Sequence, residues 1–385
     1  MVKLGEVCEI QNGYAFDSKC FSSESGMPLI RIRDIKRGYT ETFYDGDYSS
    51  EYIVRKGDFL IGMDGEFNIG EWNSEDALLN QRVCKLIPNN KINVRFVYYY
   101  IPESLKRIES KTSFATVKHL SSKQIKEIDI PLPPLEEQHR IVSILDASFE
   151  KIDALKKNAE ENLKNAKALF QQVLAQELKP KDGWVKKNLG EIGEVFSGFA
   201  FKSSSFKTEG RYQIIRIGNI KQDNLRLNES PIFVDIVDDK TLSKSLLYKG
   251  DLVVTQTGTR HKRDYGFIAM VKNDNLLLNQ RNACIRISDV ELAKFVLYYS
   301  YTKLYKDDFF ANEGGTVGQG NVGISALKEM LISFPTDTEE QHRIVRTLDT
   351  LSEKCHRLEQ VAQQTIRECD ALKQSILRQA FSGEL

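Results

Sequence analysis

The stretch EEQHRIVSILD at residues 136–146 returns as EEQHRIVRTLD at 339–349, nine of eleven letters identical, and that return decides the fold. A repeat at this distance sets the architecture before any local reading does. Working outward, LGEVCEIQNGYAF (4–16) matches LGEIGEVFSGFAF (189–201) at seven of thirteen positions, and LIRIRDIK (29–36) matches IIRIGNIK (214–221). KGDFLIGMDG (56–65) matches KGDLVVTQTG (249–258), LLNQR recurs at 78–82 and 277–281, and FVYYYI (96–101) matches FVLYYS (295–300). The offset grows from 185 to 203 along the chain, so one unit is duplicated in tandem, with insertions in the second copy. Two copies are too few for a solenoid, and two domains related by a pseudo-twofold are expected.

Within each copy the pattern predicts an α+β fold: a mixed domain followed by a long helix. Short β-branched and aromatic runs such as PLIRI, DFLIG and VCKLI, separated by Gly, Asn and Asp, read as strands, with a helix over 94–109. From Glu136 to about Leu178 there is neither Pro nor Gly. Leu145, Ser148, Ile152, Leu155, Ala159, Asn162, Ala166, Leu169 and Val173 fall at alternating spacings of three and four. The second copy supplies Leu348, Leu351, Cys355, Leu358, Ala362, Thr365, Cys369, Leu372 and Ile376. Helices of about 43 residues, roughly 64 Å long, need partners for their stripes, and an intramolecular antiparallel coiled coil supplies them. Asn162 sits where it would fix the register. The expected order is a domain at 1–135, a helix and linker at 136–180, a second domain at 181–338 and a second helix at 339–385. The sequence EEQ at each helix start suits the positive end of a helix dipole, and His139 and His342 read as first-turn residues or contacts to the domain.

The chain of 385 residues is long enough for two or three domains, and its 54 basic and 54 acidic side chains cancel. Six cysteines with no Cys-x-x-Cys pair, and five histidines outside any zinc spacing, point to neither a disulfide framework nor structural zinc. No apolar run approaches 18 residues and no signal-like start is present, so a cytoplasmic protein with reduced thiols and no membrane association is expected.

Motifs for chemistry are sparse. Gly318-Gln319-Gly320-Asn321-Val322-Gly323 has the letters of a dinucleotide loop, yet it follows a polar stretch rather than a strand, and the first copy has ATVKHL (115–120) there. There is no phosphate-binding loop ending in Gly-Lys-Ser/Thr and no Asn-Pro-Pro-Tyr motif of methyl transfer. Asp58 and Asp251 in the repeated KGD read as turn residues before a strand. What remains are loops rich in basic, amide and hydroxyl side chains, the types that contact phosphates and base edges. TQTGTRHKRDYG (255–266) carries Arg260, Lys262 and Arg263, while the flexible-looking ANEGGTVGQGNVGIS (311–325) carries Thr316, Gln319 and Asn321. The first copy offers Thr116, Lys118 and His119 in KTSFATVKHLSS (111–122). Only residues 181–338 are net positive, with 22 basic and 19 acidic side chains, so electrostatic attraction to DNA is weak.

Taken together, the domain starts, IKEIDIPLPPLEEQHRIVSILD entering the first helix and ILRQAFSGEL at the end resemble the specificity subunit of type I restriction–modification systems. The second copy departs from the pattern, with SFPTDTEEQ (333–341) where the first has PLPPLEEQ, and its helix is longer by four residues. The resemblance implies a non-catalytic subunit with two target recognition domains on an antiparallel coiled coil, reading double-stranded DNA. It implies as partners two methyltransferase subunits and restriction/translocase subunits, which would hold S-adenosylmethionine, ATP and magnesium. Each domain would read one half of a bipartite, asymmetric site, with half-site centres roughly 34–36 Å apart. The expected coil contacts are Leu145, Ile152, Leu155 and Leu169 against Leu348, Leu351, Leu358 and Leu372. Two rival readings remain at this point: a scaffold that binds only proteins, and a sequence-specific nuclease.

Overall fold

The structure, a computed structural model, describes residues 1–111, 118–235, 237–316 and 318–385. Its elements run β1 (Cys8–Asn12), β2 (Phe59–Gly62), β3 (Asn68–Glu71), β4 (Val83–Pro88), α1 (Val94–Lys111) and α2 (Leu135–Glu177). The second copy gives β5 (Glu194–Ser197), β6 (Leu252–Thr255), β7 (Thr257–Thr259), β8 (Ile268–Met270), β9 (Asn282–Arg286) and α3 (Val290–Tyr299). It ends with β10 (Gly314–Thr316), β11 (Gln319–Asn321) and α4 (Thr338–Ser382). Short strands and helices between these are given by residue where needed. Packing divides the chain into two compact units, one of residues 1–160 with 363–385, the other of residues 161–362.

The units repeat one plan. In the first, β1, β4, β2 and β3 lie in that order in an antiparallel sheet, and in the second β5, β9, β6 and β8 do the same. KGD is the turn that launches the second-listed strand of each copy. Gly57 and Gly250 take φ of 92° and 94°, where a side chain is disfavoured. Asp58 and Asp251 each accept the N–H of the residue three before, at 2.8 Å. The glycine shared by QNGYAF and FSGFAF has an equally local cause. A Cβ on Gly13 or Gly198 would lie 2.0 or 2.1 Å from the carbonyl oxygen of Asn80 or Asn279. Each domain start is thereby pressed against the backbone of an LLNQR segment.

One face of each sheet is closed by its helices. Ile10, Phe59, Leu86, Phe96, Leu105 and Leu145 share a core in the first unit, and Val195, Leu252, Ile285, Phe295, Val296 and Leu348 share one in the second. Gln138 at the start of α2 is fully buried. It donates to the carbonyls of Pro133 at 2.8 Å and Lys91 at 3.1 Å and accepts the N–H of Asn93 at 2.8 Å. Gln341 repeats the first of these with Pro335 at 2.6 Å. The glutamine of EEQ therefore fastens each long helix to its domain, and His139 adds a contact to Asn93 at 3.1 Å. A second fastening lies one turn or more further on. Asp146 receives Arg95 at 2.9 Å and the hydroxyl of Tyr99, while Asp349 receives Lys294 at 3.0 Å and Tyr298 at 2.6 Å.

Within each unit α2 and α4 run antiparallel. In the first, Lys156 meets Asp370 at 2.7 Å and Lys373 meets Asp153 at 2.5 Å. In the second, Arg343 meets Glu177 at 2.7 Å and the Cys355 thiol reaches the Ala166 carbonyl at 3.4 Å. The expected seam needs correction in one of its two rows. Leu145, Ile152, Ala159, Ala166, Leu348, Cys355, Ala362 and Cys369 are buried as expected, and Leu351 is half-buried. Leu155, Leu169, Leu358 and Leu372 are not in the seam, with 55%, 48%, 52% and 49% of their surfaces exposed, and Asn162 is exposed too. Their places are taken one residue later, by Phe149, Lys156, Leu163 and Phe170 on α2 and by Ser352, Glu359, Ile366 and Lys373 on α4. Lys156 and Lys373 lay their aliphatic stems along the seam and bring their ammonium groups to Asp370 and Asp153 at its edge. Lys373 also covers the ring of Phe149 at 4.9 Å.

Candidate nucleic-acid interface

In the second unit the polar loops of the sequence form a small sheet. β11 pairs with β7 on one side and β10 on the other, with Thr257 opposite Asn321, Thr259 opposite Gln319, and Gln319 opposite Thr316. Gly258, Gly320 and Gly315 stand in one row across the three strands. A Cβ on Gly320 would fall 1.9 Å from the Tyr265 hydroxyl and 2.3 Å from a Glu313 carboxylate oxygen. The glycine-rich stretch read as a flexible loop thus contains two strands, Gly314–Thr316 and Gln319–Asn321, and the bare Gly320 makes room for Tyr265 rather than for a dinucleotide.

Beneath this row lies a buried anchor. Tyr265 donates its hydroxyl to Glu313, which also receives Arg260 at 2.9 Å. Burial, and then Glu313, push the Tyr265 hydroxyl above its ordinary value, while that hydroxyl and Arg260 hold the Glu313 carboxyl low. The remaining candidates are at the surface. Thr316, Gln319, Asn321 and Lys262 are exposed, and Arg263 lies over the Phe310 ring at 4.8 Å. The fold accordingly brings Arg260, Thr316, Gln319 and Asn321 together on or beside one sheet, with Lys262 and Arg263 in the adjoining turn. Arg260 is the one held in place by a carboxylate.

One cleft borders the sheet and a second adjoins the first, the two sharing Ile217, Gly218 and Arg281. One, of about 440 Å³, is bordered by Lys221, Thr257, Thr259 and Gln319. The other, of about 570 Å³, is bordered by Arg216, Ser230, Asn279 and Gln280. Arg216 donates to the Ser230 carbonyl at 2.7 Å, and its Nε and the Asn279 Oδ1 have no hydrogen-bond partner among the described residues. Arg216, Lys221, Gln280 and Arg281 were not among the sequence-based candidates. The repeated LLNQR was the signal that pointed to the last two.

The first unit has the same place with different occupants. The N–H of Leu120 bonds the Met63 carbonyl at 2.7 Å, as Val322 bonds Gln256 at 2.9 Å, so His119 stands where Asn321 stands. His119 contacts Asp64 at 2.6 Å and Arg82 at 3.2 Å, and Lys118 pairs with Glu109 at 3.6 Å. Thr116 lies outside the described residues. Among the described residues no three His, Cys, Asp or Glu side chains gather as a metal site, and no helix is long and apolar enough to cross a membrane.

Comparison with known proteins gives these geometries a context. The family model for the type I restriction modification DNA specificity domain matches residues 1–165 and 181–368. The chain is 32% identical over 422 residues to the EcoBI type I restriction enzyme specificity subunit of Escherichia coli, covering 100% of this chain and 85% of that one. Against the EcoKI specificity subunit of Escherichia coli K12 the identity is 24% over 391 residues, covering 93% and 82%. A solved chain from work on complex assembly and conformational transition of the type I R-M system superposes with a TM-score of 0.67 at 22% identity, over 100% of this chain and 97% of that one. The crystal structure of the HsdS subunit from Thermoanaerobacter tengcongensis does so with 0.52 at 22%, over 100% and 96%. These structural likenesses carry the fold: tandem domains, each joined to a long helix.

Proposed function

Since the chain belongs to the family of type I restriction modification DNA specificity domains, we propose that it is the DNA-recognition subunit of such a system and that each unit reads one half of a bipartite, asymmetric site. The observation that carries this reading is the duplicated domain that presents unlike polar groups at one equivalent place. His119 and Asp64 occupy it in the first unit, Asn321 and Thr257 in the second. A duplicated frame gives two readers, and unlike side chains give two different half-sites. Thr116, Lys118 and His119 serve the first half-site, and Arg260, Lys262, Arg263, Thr316, Gln319 and Asn321 the second.

The paired helices set the distance between half-sites. The exposed Leu155, Leu169, Leu358 and Leu372 on those helices are apolar surface suited to the two methyltransferase subunits. Methyl transfer, cleavage and translocation then belong to partner subunits, which bind S-adenosylmethionine, ATP and magnesium, and the assembly works in the cytoplasm. The test is to coexpress the chain with a cognate methyltransferase subunit and map methylated adenines across a genome by single-molecule sequencing. A two-part, non-palindromic motif methylated on both strands is expected. An active, stable assembly that leaves no motif would contradict the proposal.

A further inference from the structure

The segment Leu-Leu-Asn-Gln-Arg is repeated letter for letter at 78–82 and 277–281, although its surroundings diverge. Packing accounts for its first part. Leu78, Leu79, Leu277 and Leu278 are fully buried, and the backbone of Asn80 and Asn279 is where Gly13 and Gly198 press in. It does not account for the arginines, whose side chains are exposed. Nor does the backbone favour them. Arg82 and Arg281 both take a left-handed conformation, with φ of 71° and 67°, which Gly or Asn adopts more readily. Their carbonyls accept the N–H groups of Met63 at 2.9 Å and Gln256 at 3.0 Å, so the bulge is fixed in the same way twice. An exposed residue kept in an unfavourable conformation in both copies points to a role at a ligand.

The neighbours tell which part of the ligand. Arg281 lines both clefts and has no ion pair or hydrogen-bonded side-chain partner among the described residues. Arg82 lies against Asp64 at 3.3 Å and His119 at 3.2 Å. Around the identical arginines four equivalent positions differ, Asp64 against Thr257, His119 against Asn321, Arg33 against Gly218 and Asp34 against Asn219, while the cations Arg31 and Lys36 return as Arg216 and Lys221. Two unlike half-sites differ in their bases and share only their sugar–phosphate backbone. A guanidinium suits a phosphodiester through paired N–H donors. We propose that Arg82 and Arg281 each bind a backbone phosphate of their half-site, as the sequence-independent anchor against which the unlike residues are set to meet bases.

This inference rests on the DNA-reading function above, and its test separates the two. In the full assembly with the methyltransferase subunit, binding is measured for a cognate duplex and for one with a scrambled half-site, across a salt series. Arg281→Ala and Arg82→Ala are expected to weaken both duplexes by a similar factor, leave their ratio unchanged and each lower the slope of log K against log salt by about one. Arg281→Lys should keep the slope. Arg281→Gly, which suits the left-handed backbone, should lose it while melting no lower than the wild type, which separates lost contact from lost fold. An unchanged slope, or a change confined to base preference at one position, overturns the phosphate assignment. Wild-type assembly with no affinity for any duplex would instead remove the function beneath it.

Discussion

Glu313 receives the Tyr265 hydroxyl and the Arg260 guanidinium, and that convergence makes the small sheet sensitive to acid. Its carboxyl is held below the ordinary 4.5, chiefly by the Tyr265 hydroxyl. A group with a lowered value in the folded chain stabilises it above the unfolded value and ceases to do so as the pH falls through the folded one. Urea unfolding of the wild type and of Glu313→Gln, compared at about pH 7 and about pH 3, checks this: the wild-type advantage at neutral pH should shrink in acid. Parallel midpoints at both values would refute it. The sequence showed that Arg260, Gln319 and Asn321 carry suitable groups, but not that Tyr265 requires Gly320 to be bare. That requirement joins residues 55 apart, and no local spacing reveals it. The left-handed turns at Arg82 and Arg281 were hidden for a similar reason, since their carbonyls bond Met63 and Gln256, each the residue just past the end of a strand distant in sequence.

Among the elements, the long helices were legible in existence, length and antiparallel sense, because a stretch free of Pro and Gly with apolar periodicity leaves few alternatives. Their seam was legible only by half. Choosing leucines for the second row ranks side chains by hydrophobicity alone, whereas Lys156 and Lys373 bury their stems and ion-pair at the rim. The two registers predict different mutational costs. Ile152→Ala and Leu145→Ala should destabilise by about 2–5 kcal/mol, as buried truncations do. Leu155→Gln and Leu372→Gln should stay within about 0.5 kcal/mol in the isolated chain. Chemical denaturation reads both. A large loss at Leu155 would restore the leucine register. The joints between domain and helix were partly legible: His139 does contact the domain at Asn93, as expected, but the buried glutamine of EEQ, which bonds the domain in both copies, was not singled out.

For the whole molecule, the duplication visible in the letters is also visible in the strand order, since both copies build one sheet plan and fasten it by paired residues such as Tyr99 with Asp146 and Tyr298 with Asp349. If the helix pair is the ruler of the proposed function, its length and the spacing of the target must change together. Removing seven residues from α2 near 160 and seven from α4 near 363 preserves the seam and shortens the pair by about 10.5 Å. The unread gap in the methylated motif should then shrink by about three base pairs at about 3.4 Å each. An unchanged gap in an active assembly would dissociate helix length from site geometry.

The division into units also orders events in time. The second unit is one unbroken run, residues 161–362, whereas in the first Ile376, Leu377, Ala380 and Phe381 of the segment 363–385 share the core with Leu145 and Phe149. At a synthesis rate of about 5–20 residues per second, the roughly 200 intervening residues take some 10–40 s to emerge. Throughout that interval the first-made half of the protein carries an uncovered apolar helix face, while the later half has everything it needs to close. The domain that leaves the ribosome first is therefore the last to be finished, and it is there that misassembly during biogenesis has its opening.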